Sequence, residues 1–208
     1  MSTGVEIKGL KKSFGDNLIF DGFYLSFSPG GSYAIMGRSG LGKTTLLKII
    51  MGLLKADGGD IIFTDETGKK LLRKPEFAVV FQEDRLCEYL SARENISMCM
   101  RGFSEDPSVV RELSRVLSED SLNRPVRELS GGQKRRVAIV RAMMRTDADI
   151  IIMDEPFTGM DEDTKRTVAD YINWGKQKRL LIISVHSREE AKLLNAEITD
   201  MGSLIDHS

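Results

Sequence analysis

At 208 residues, with 30 basic and 31 acidic side chains and a net charge of −1, the chain can form one compact unit with subdomains and is too evenly charged for broad nucleic-acid binding. No run of about eighteen apolar residues occurs, which argues against a membrane-spanning helix, and Met1-Ser2-Thr3-Gly4-Val5-Glu6 lacks the charged-then-apolar pattern of an export signal. The two cysteines, Cys87 and Cys99, are out of metal-ligand spacing and read as free, partly buried thiols of a reducing cytosol.

Short β-type runs come first: Val5-Glu6-Ile7, Leu18-Ile19-Phe20 and Tyr24-Leu25-Ser26-Phe27. Pro29-Gly30-Gly31 marks a turn before the apolar strand Tyr33-Ala34-Ile35-Met36. Gly37-Arg38-Ser39-Gly40-Leu41-Gly42-Lys43-Thr44 follows, fitting G-x-x-x-x-G-K-[ST], and a helical run opens at Thr45 and ends at Met51. Strand, glycine loop and helix in that order make a P-loop. Glycines admit positive φ, so successive N–H groups can converge on phosphate oxygens, and the helix N-terminus adds its dipole. Lys43 supplies a mobile charge for the β- and γ-phosphates of a nucleoside triphosphate, and the Thr44 hydroxyl is placed to ligate Mg²⁺. Asp57-Gly58-Gly59 turns into Asp60-Ile61-Ile62-Phe63, which with the earlier runs predicts an antiparallel β subdomain; Phe77–Gln82 returns to the core sheet.

Residues 83 to about 145 read as helical, with Val109, Leu113, Val116 and Leu117 at helical spacing and Pro107 and Pro125 as punctuation. Near the end of this stretch Leu129-Ser130-Gly131-Gly132-Gln133 precedes a helix whose apolar face carries Val137, Val140 and Met144. Lys134-Arg135-Arg136 read as a solvated face of that helix. Ser130, Gly131 and Gly132 thus lie at a helix N-terminus suited to an anion. One P-loop already holds a nucleotide, so a second phosphate site points to another molecule's nucleotide and a composite site.

Ile150-Ile151-Ile152-Met153 suits a strand buried on both faces of a parallel sheet, which puts Asp154 and Glu155 at its carboxyl edge, where open α/β sheets bind ligands. Asp154 suits Mg²⁺, and Glu155 is placed to polarise an attacking water. Thr164–Trp174 is a predicted helix with Trp174 as a packing residue; Leu180–Val185 is a strand ending at His186. Ser187-Arg188-Glu189-Glu190 fits a capping box, Asp200-Met201-Gly202 the turn of a hairpin, and His207 has no informative context.

With these motifs the chain resembles the ATP-binding-cassette (ABC) ATPases over nearly its whole length. The resemblance implies an α/β fold: a P-loop NTPase (RecA-like) core with an antiparallel β subdomain and a helical signature subdomain. It makes 1–208 one domain, with about 1–82 and 146–208 as core plus β subdomain and about 83–145 as helical subdomain. It implies ATP with Mg²⁺, and two cassettes packed head to tail, each ATP held between one P-loop and the partner's Leu129–Gln133. Phe14, in Lys12-Ser13-Phe14-Gly15, then matches the ring that stacks on adenine. Gln82 matches the glutamine that senses Mg²⁺ and water, Asp161 the D-loop aspartate, and His186 the switch histidine at the γ-phosphate. Two segments depart from the family pattern: Thr158-Gly159-Met160 replace Ser-Ala-Leu before Asp161, and Ser187 replaces the Asp after the histidine.

A cassette without fused membrane helices resembles the ATPase subunits of importers. That implies separate permease subunits docking near residues 82–100, including Arg85, Leu86, Tyr89 and Leu90, and a place on the inner face of the cell membrane. It also implies an extracytoplasmic substrate-binding protein and no nucleic-acid partner. The Gln82-Glu83-Asp84-Arg85-Leu86 run is similar to importers of taurine, sulfonates, nitrate or thiamine precursors. The alternative is an ABC-type ATP-dependent clamp in cell division or signalling, without transport.

Overall fold

The computed structural model describes residues 2–100 and 107–205, the latter range without the Ile205 side chain; His207 lies outside them. The chain opens with two eleven-residue strands, β1 (Gly4–Phe14) and β2 (Asn17–Phe27), paired antiparallel through a tight turn at Gly15-Asp16. The two runs expected at Leu18–Phe20 and Tyr24–Phe27 are therefore one continuous strand. Asp21 and Phe23 pair with Lys11 and Leu10 of β1, and Gly22 between them takes a φ of 74° at an irregularity in the register, so the strand continues through the gap. β4 (Gly58–Thr64) pairs with the other edge of β1, completing a three-stranded antiparallel sheet of order β2-β1-β4. The expected turn at Asp57-Gly58-Gly59 is shorter than predicted: Gly58 and Gly59 already belong to β4, and Gly59 crosses so close to Gly9 that a Cβ would stand 2.4 Å from its carbonyl oxygen.

The second sheet is parallel throughout, with order β5-β6-β7-β3-β8. Its members are β3 (Ser32–Met36), β5 (Phe77–Val80), β6 (Ile150–Asp154), β7 (Leu180–Ser184) and β8 (Glu197–Asp200). Alternation along the pleat divides the interior into two cores. Ile150, Ile152, Leu180, Ile182 and Ile35 face α1 (Lys43–Ile50) and the antiparallel sheet. Ile151, Met153, Leu181, Ile183 and Ala34 face the helices that follow β5. These are α2 (Ala92–Ser97), α3 (Pro107–Leu113), α4 (Glu119–Leu122) and α5 (Gly131–Met143), then α6 (Glu162–Lys176) and α7 (Arg188–Leu193). All four apolar residues of β6 are 0% exposed, as continuous aliphatic runs must be when both faces of a strand are covered.

Parallel pairing has one consequence for function: the carboxyl ends of all five strands lie along the same edge of the sheet. The P-loop follows β3 there, Gln82 follows β5, Glu155 follows β6, and His186 follows β7. The chain ends differently from expectation. Instead of a hairpin, β8 pairs parallel with β3, and a short helix α8 (Met201–Ile205) follows. Met201 is wholly buried in the core beneath α1, which draws the segment back across the P-loop strand.

Three further expectations change. Residues 83–91 are irregular rather than helical, the carbonyls of Asp84 and Arg85 being taken up by Arg141 and those of Glu88 and Leu90 by the backbone N–H groups of Arg127 and Val126. Trp174 is 61% exposed, its ring covered on one face by the Arg115 guanidinium at 4.3 Å, because the buried stripe of α6 runs through Val168, Ala169, Tyr171 and Ile172 instead. Cys87 and Cys99 are free but exposed, where partial burial was expected.

Candidate nucleotide site

The P-loop takes the backbone its glycines allow. Gly42, the residue before α1, has φ of 85°, and a Cβ there would come within 2.5 Å of Ile19 and 3.0 Å of Phe20. β2 is thus pressed against the loop, and the β1–β2 hairpin that carries Phe14 is brought alongside it. Phe14 is 49% exposed at the end of β1 with Lys12 Nζ 5.1 Å from its ring centre; Lys12 is itself paired with Asp57 at 2.7 Å. A half-exposed ring so held can offer its free face to a purine. Lys43 is 7% exposed, and its Nζ donates to the carbonyls of Gly37 at 2.7 Å and Arg38 at 3.3 Å, which curls the loop around the ammonium. Arg38, Ser39 and Gly40 are exposed on the outer rim; Leu41 packs inward, and Thr45 is half-buried at the first turn of α1.

Next to Lys43, the Thr44 hydroxyl donates to Asp154 Oδ2 at 2.7 Å. The other carboxylate oxygen, Oδ1, accepts a short hydrogen bond from the Ser184 hydroxyl, which in turn accepts the Glu155 N–H at 2.9 Å. Ser184 is 0% exposed and ends β7. Sequence reasoning missed it; the available signal was a single hydroxyl closing the aliphatic run Leu180–Ile183. Its effect is to fix one rotamer of Asp154 and anchor the backbone of Glu155. Glu155 itself has φ of 53°, a left-handed conformation rare outside glycine, which turns its carboxylate back over the sheet edge. There Glu155 Oε1 lies 3.0 Å from His186 Nε2. Gln82 is exposed and lines a cavity of about 100 Å³ together with Thr44, Glu83, Arg85 and Asp154. On the other side of the loop an open cleft of about 740 Å³, within the size range of small-molecule sites, is lined by Gly37, Arg38, Ser39, Leu41, His186 and Asp200.

The donor set fits Mg²⁺. A threonine hydroxyl and a carboxylate, both hard oxygen ligands and already in contact, leave the remaining positions to water and phosphate, as that small ion prefers.

Neither Ser130–Gln133 nor Asp161 lines either of these clefts. Ser130 caps α5 by accepting the Gln133 N–H at 3.2 Å, and Gln133 Oε1 in turn accepts the Ser130 N–H at 2.8 Å. Asp161 caps α6 through the Thr164 N–H at 2.8 Å. The atypical D-loop glycine meets the signature here: a Cβ on Gly132 would stand 2.5 Å from the Gly159 carbonyl oxygen, whereas one on Gly131 would meet nothing within 4 Å. Gly132→Ala is therefore expected to cost about 1–3 kcal/mol by overpacking. Gly131→Ala should be neutral or stabilising. Thermal melts of the two variants check this; equal melting temperatures would remove the contact as a constraint.

His186 and its neighbours show a variant of the predicted cap. Ser187 accepts the Glu190 N–H at 3.2 Å, but Glu190 Oε2 accepts the His186 N–H at 3.2 Å, one residue earlier than the expected box. The histidine backbone is thereby tied to α7 without an aspartate after it.

The basic run after the signature departs most from expectation. Arg136 donates to the carbonyls of Gly132 and Val116 at 3.2 and 2.7 Å. Arg135 is 3% exposed, far from a solvated face. It lies three residues before Ala138 and seven before Ala142, on the buried side of α5, and that spacing was the legible clue.

Comparison with known proteins accords with this geometry. A protein-family model described as ABC transporter matches residues 20–158. The chain belongs to the ABC transporter family. This cassette is 33% identical over 193 residues to an aliphatic sulfonates import ATP-binding protein of Rhizobium johnstonii, covering 90% of this chain and 69% of that one. A Nod factor export ATP-binding protein of Burkholderia orbicola is 32% identical, covering 91% and 65%. A sulfate/thiosulfate import ATP-binding protein of Bordetella pertussis is 32% identical, covering 94% and 57%. The cassette thus spans between 57% and 69% of the length of these three relatives. Among solved structures, a dimeric ATP-binding cassette in a post-hydrolysis state with ADP and Pi superposes with a TM-score of 0.77 at 25% identity, covering 94% of this chain and 93% of that one. The expected fold class is borne out.

Proposed function

We propose that this cassette binds and hydrolyses ATP to power substrate import through separate membrane subunits. The observation that carries the chemistry is the Thr44–Asp154 contact at 2.7 Å beside the Lys43 loop, with Glu155 as the next residue. In this reading the P-loop amides, Lys43 and the α1 N-terminus hold the β- and γ-phosphates while Phe14 stacks on adenine. Thr44 and Asp154, with Gln82, would hold Mg²⁺, which would supply charge neutralisation on the phosphate oxygens. Glu155 orients a water in line with the γ-phosphorus and accepts its proton. The bond from phosphorus to the bridging oxygen breaks, leaving ADP and inorganic phosphate. His186, poised against Glu155 at 3.0 Å, turns to the γ-phosphate.

Ser130–Gln133 and Asp161 serve a second copy of the cassette, packed head to tail as a homodimer; they line neither cleft beside the P-loop, and the similar solved cassette is dimeric. ATP then favours the closed pair, and loss of the γ-phosphate lets it open. Membrane subunits dock along residues 82–100, where Tyr89 is 78% exposed, Arg85 is exposed, and Leu86 and Leu90 are half-buried. Among the described residues no helix is long and apolar enough to cross a membrane. In this reading the permease holds the cassette at the inner face of the membrane. Import relatives for sulfonates, Fe(3+) ions and sulfate support that direction, and an extracytoplasmic substrate-binding protein completes such a system.

The test is a pull-down of tagged Glu155→Gln chain from gently solubilised native membranes with ATP, read by mass spectrometry. Recovery of a polytopic permease with a substrate-binding protein is the expected result. Recovery of a permease without a substrate-binding protein would favour export, the direction named for the Nod factor relatives. Soluble partners alone, with membrane proteins demonstrably extracted, would favour the clamp.

A further inference from the structure

We propose that Arg135 is a positioning residue that locks the Gln82 segment and the Glu155 turn together, so that both move with the signature helix as one unit. The proposal rests on the ATP-hydrolysis reading. Arg135 stands one turn inside α5, and its guanidinium reaches the ends of two neighbouring strands. On the β5 side Nη1 donates to the Phe81 carbonyl in a short hydrogen bond, to the Gln82 carbonyl at 3.3 Å and to Asp84 Oδ1 at 2.9 Å. On the β6 side Nη2 donates to the Asp154 carbonyl, again a short bond, and to the Glu155 carbonyl at 2.8 Å, which also receives Nε at 3.2 Å.

Phe81, Gln82 and Glu155 lie just past the ends of β5 and β6, and Asp154 is the last residue of β6, so these carbonyls cluster where the regular ladder stops and buried carbonyls need other donors. One planar fork serves them all. An ammonium on a flexible stem offers a single point of donation and cannot span both strand ends with fixed geometry. Asp84, the carboxylate paired with this guanidinium, sits in the Gln82 segment. The left-handed backbone of Glu155 is held from two sides, its N–H by Ser184 and its carbonyl by Arg135. A shift of α5 relative to the sheet therefore displaces the water-polarising carboxylate and the glutamine together.

Arg141 provides an internal control. It lies on the same helix and holds the same segment, donating to the carbonyls of Asp84 and Arg85 at 2.8 Å each, but makes no hydrogen bond to β6 or the Glu155 turn. The experiment compares Arg135→Lys with Arg141→Lys by steady-state ATPase kinetics and amide hydrogen exchange. Arg135→Lys is expected to lower kcat on the order of a hundredfold, the scale of an ångström-sized misplacement. Its apparent KM for ATP should stay within about twofold, because the P-loop is untouched. Exchange should quicken at 82–85 and at 154–158 in Arg135→Lys, and at 82–85 alone in Arg141→Lys.

Wild-type kcat and wild-type exchange at 154–158 in Arg135→Lys would overturn the proposal, as would a lowered melting temperature with kcat intact at 25 °C. If Arg135→Lys does not fold, Asp84→Asn removes only the carboxylate partner, and an unaltered kcat in that variant overturns the proposal too. If the wild-type chain binds ATP without hydrolysing it, the hydrolysis reading fails by itself, and the exchange pattern still decides whether Arg135 couples the two segments.

Discussion

Glu155→Gln is expected to bind ATP normally, to lose turnover by about 10²–10⁴-fold, and to accumulate as a closed dimer. The substitution is nearly isosteric. The amide keeps a hydrogen-bonding oxygen for His186 at the 3.0 Å position now held by Oε1, and the backbone contacts of residue 155 to Ser184 and Arg135 are main-chain bonds that do not depend on the side chain. What is lost is the negative charge that aligns the water and takes its proton. Nothing in the change touches Lys43, Thr44 or the loop glycines, so nucleotide affinity should survive. With binding intact and the γ-phosphate uncleaved, the pair of cassettes has no route to opening. Size-exclusion chromatography with ATP and Mg²⁺ should show the dimer, and a phosphate-release assay should show the missing turnover. Wild-type turnover would remove Glu155 from the catalytic role.

Lys43→Ala should act earlier, on binding. One charge-assisted hydrogen bond is worth roughly 1.5–3 kcal/mol, which corresponds to about a 10- to 150-fold loss of ATP affinity. The structure adds a second component. Lys43 Nζ holds the Gly37 and Arg38 carbonyls at 2.7 and 3.3 Å, so truncation also frees the loop that should be pre-organised for the phosphates. Because the side chain is 7% exposed, its removal leaves those carbonyls without a donor as well as a small void. Equilibrium titration with a fluorescent ATP analogue gives the affinity directly; an unchanged dissociation constant would overturn the P-loop assignment. The two variants separate the halves of the site, since one binds without turnover and the other fails to bind.

Legibility followed the range of the interactions. The P-loop was readable because a contiguous run of glycines, lysine and threonine between a strand and a helix builds its own geometry; Gly42 takes its positive φ and Lys43 folds onto Gly37 within a few residues. Asp154 and Glu155 were readable because an aliphatic strand buried on both faces must end at a sheet edge. Ser184 was not, since its importance lies in meeting Asp154 thirty residues away. Arg135 was misread for the same reason. As part of a basic run it looks solvated, and only the packing of α5 against the ends of β5 and β6 makes it 3% exposed. The end of the chain was misread because Asp200-Met201-Gly202 is locally a turn sequence, while β3 offers an open edge that β8 fills in parallel.

The sequence by itself determined the chemistry that contiguous residues can build: a phosphate loop, a carboxylate pair at a strand end, a second glycine-rich helix start. The tertiary structure decided how these parts relate. Five strands in parallel register, ordered β5-β6-β7-β3-β8, bring Gln82, Glu155, His186 and the P-loop to one edge, and Ser130–Gln133 line neither of the two clefts beside that loop. The physical reason is that a loop's hydrogen bonds close within a few residues and are written locally. Burial, by contrast, is a property of opposed faces, and a guanidinium is solvated or enclosed according to which strand ends, fifty residues upstream and twenty downstream, are folded against it.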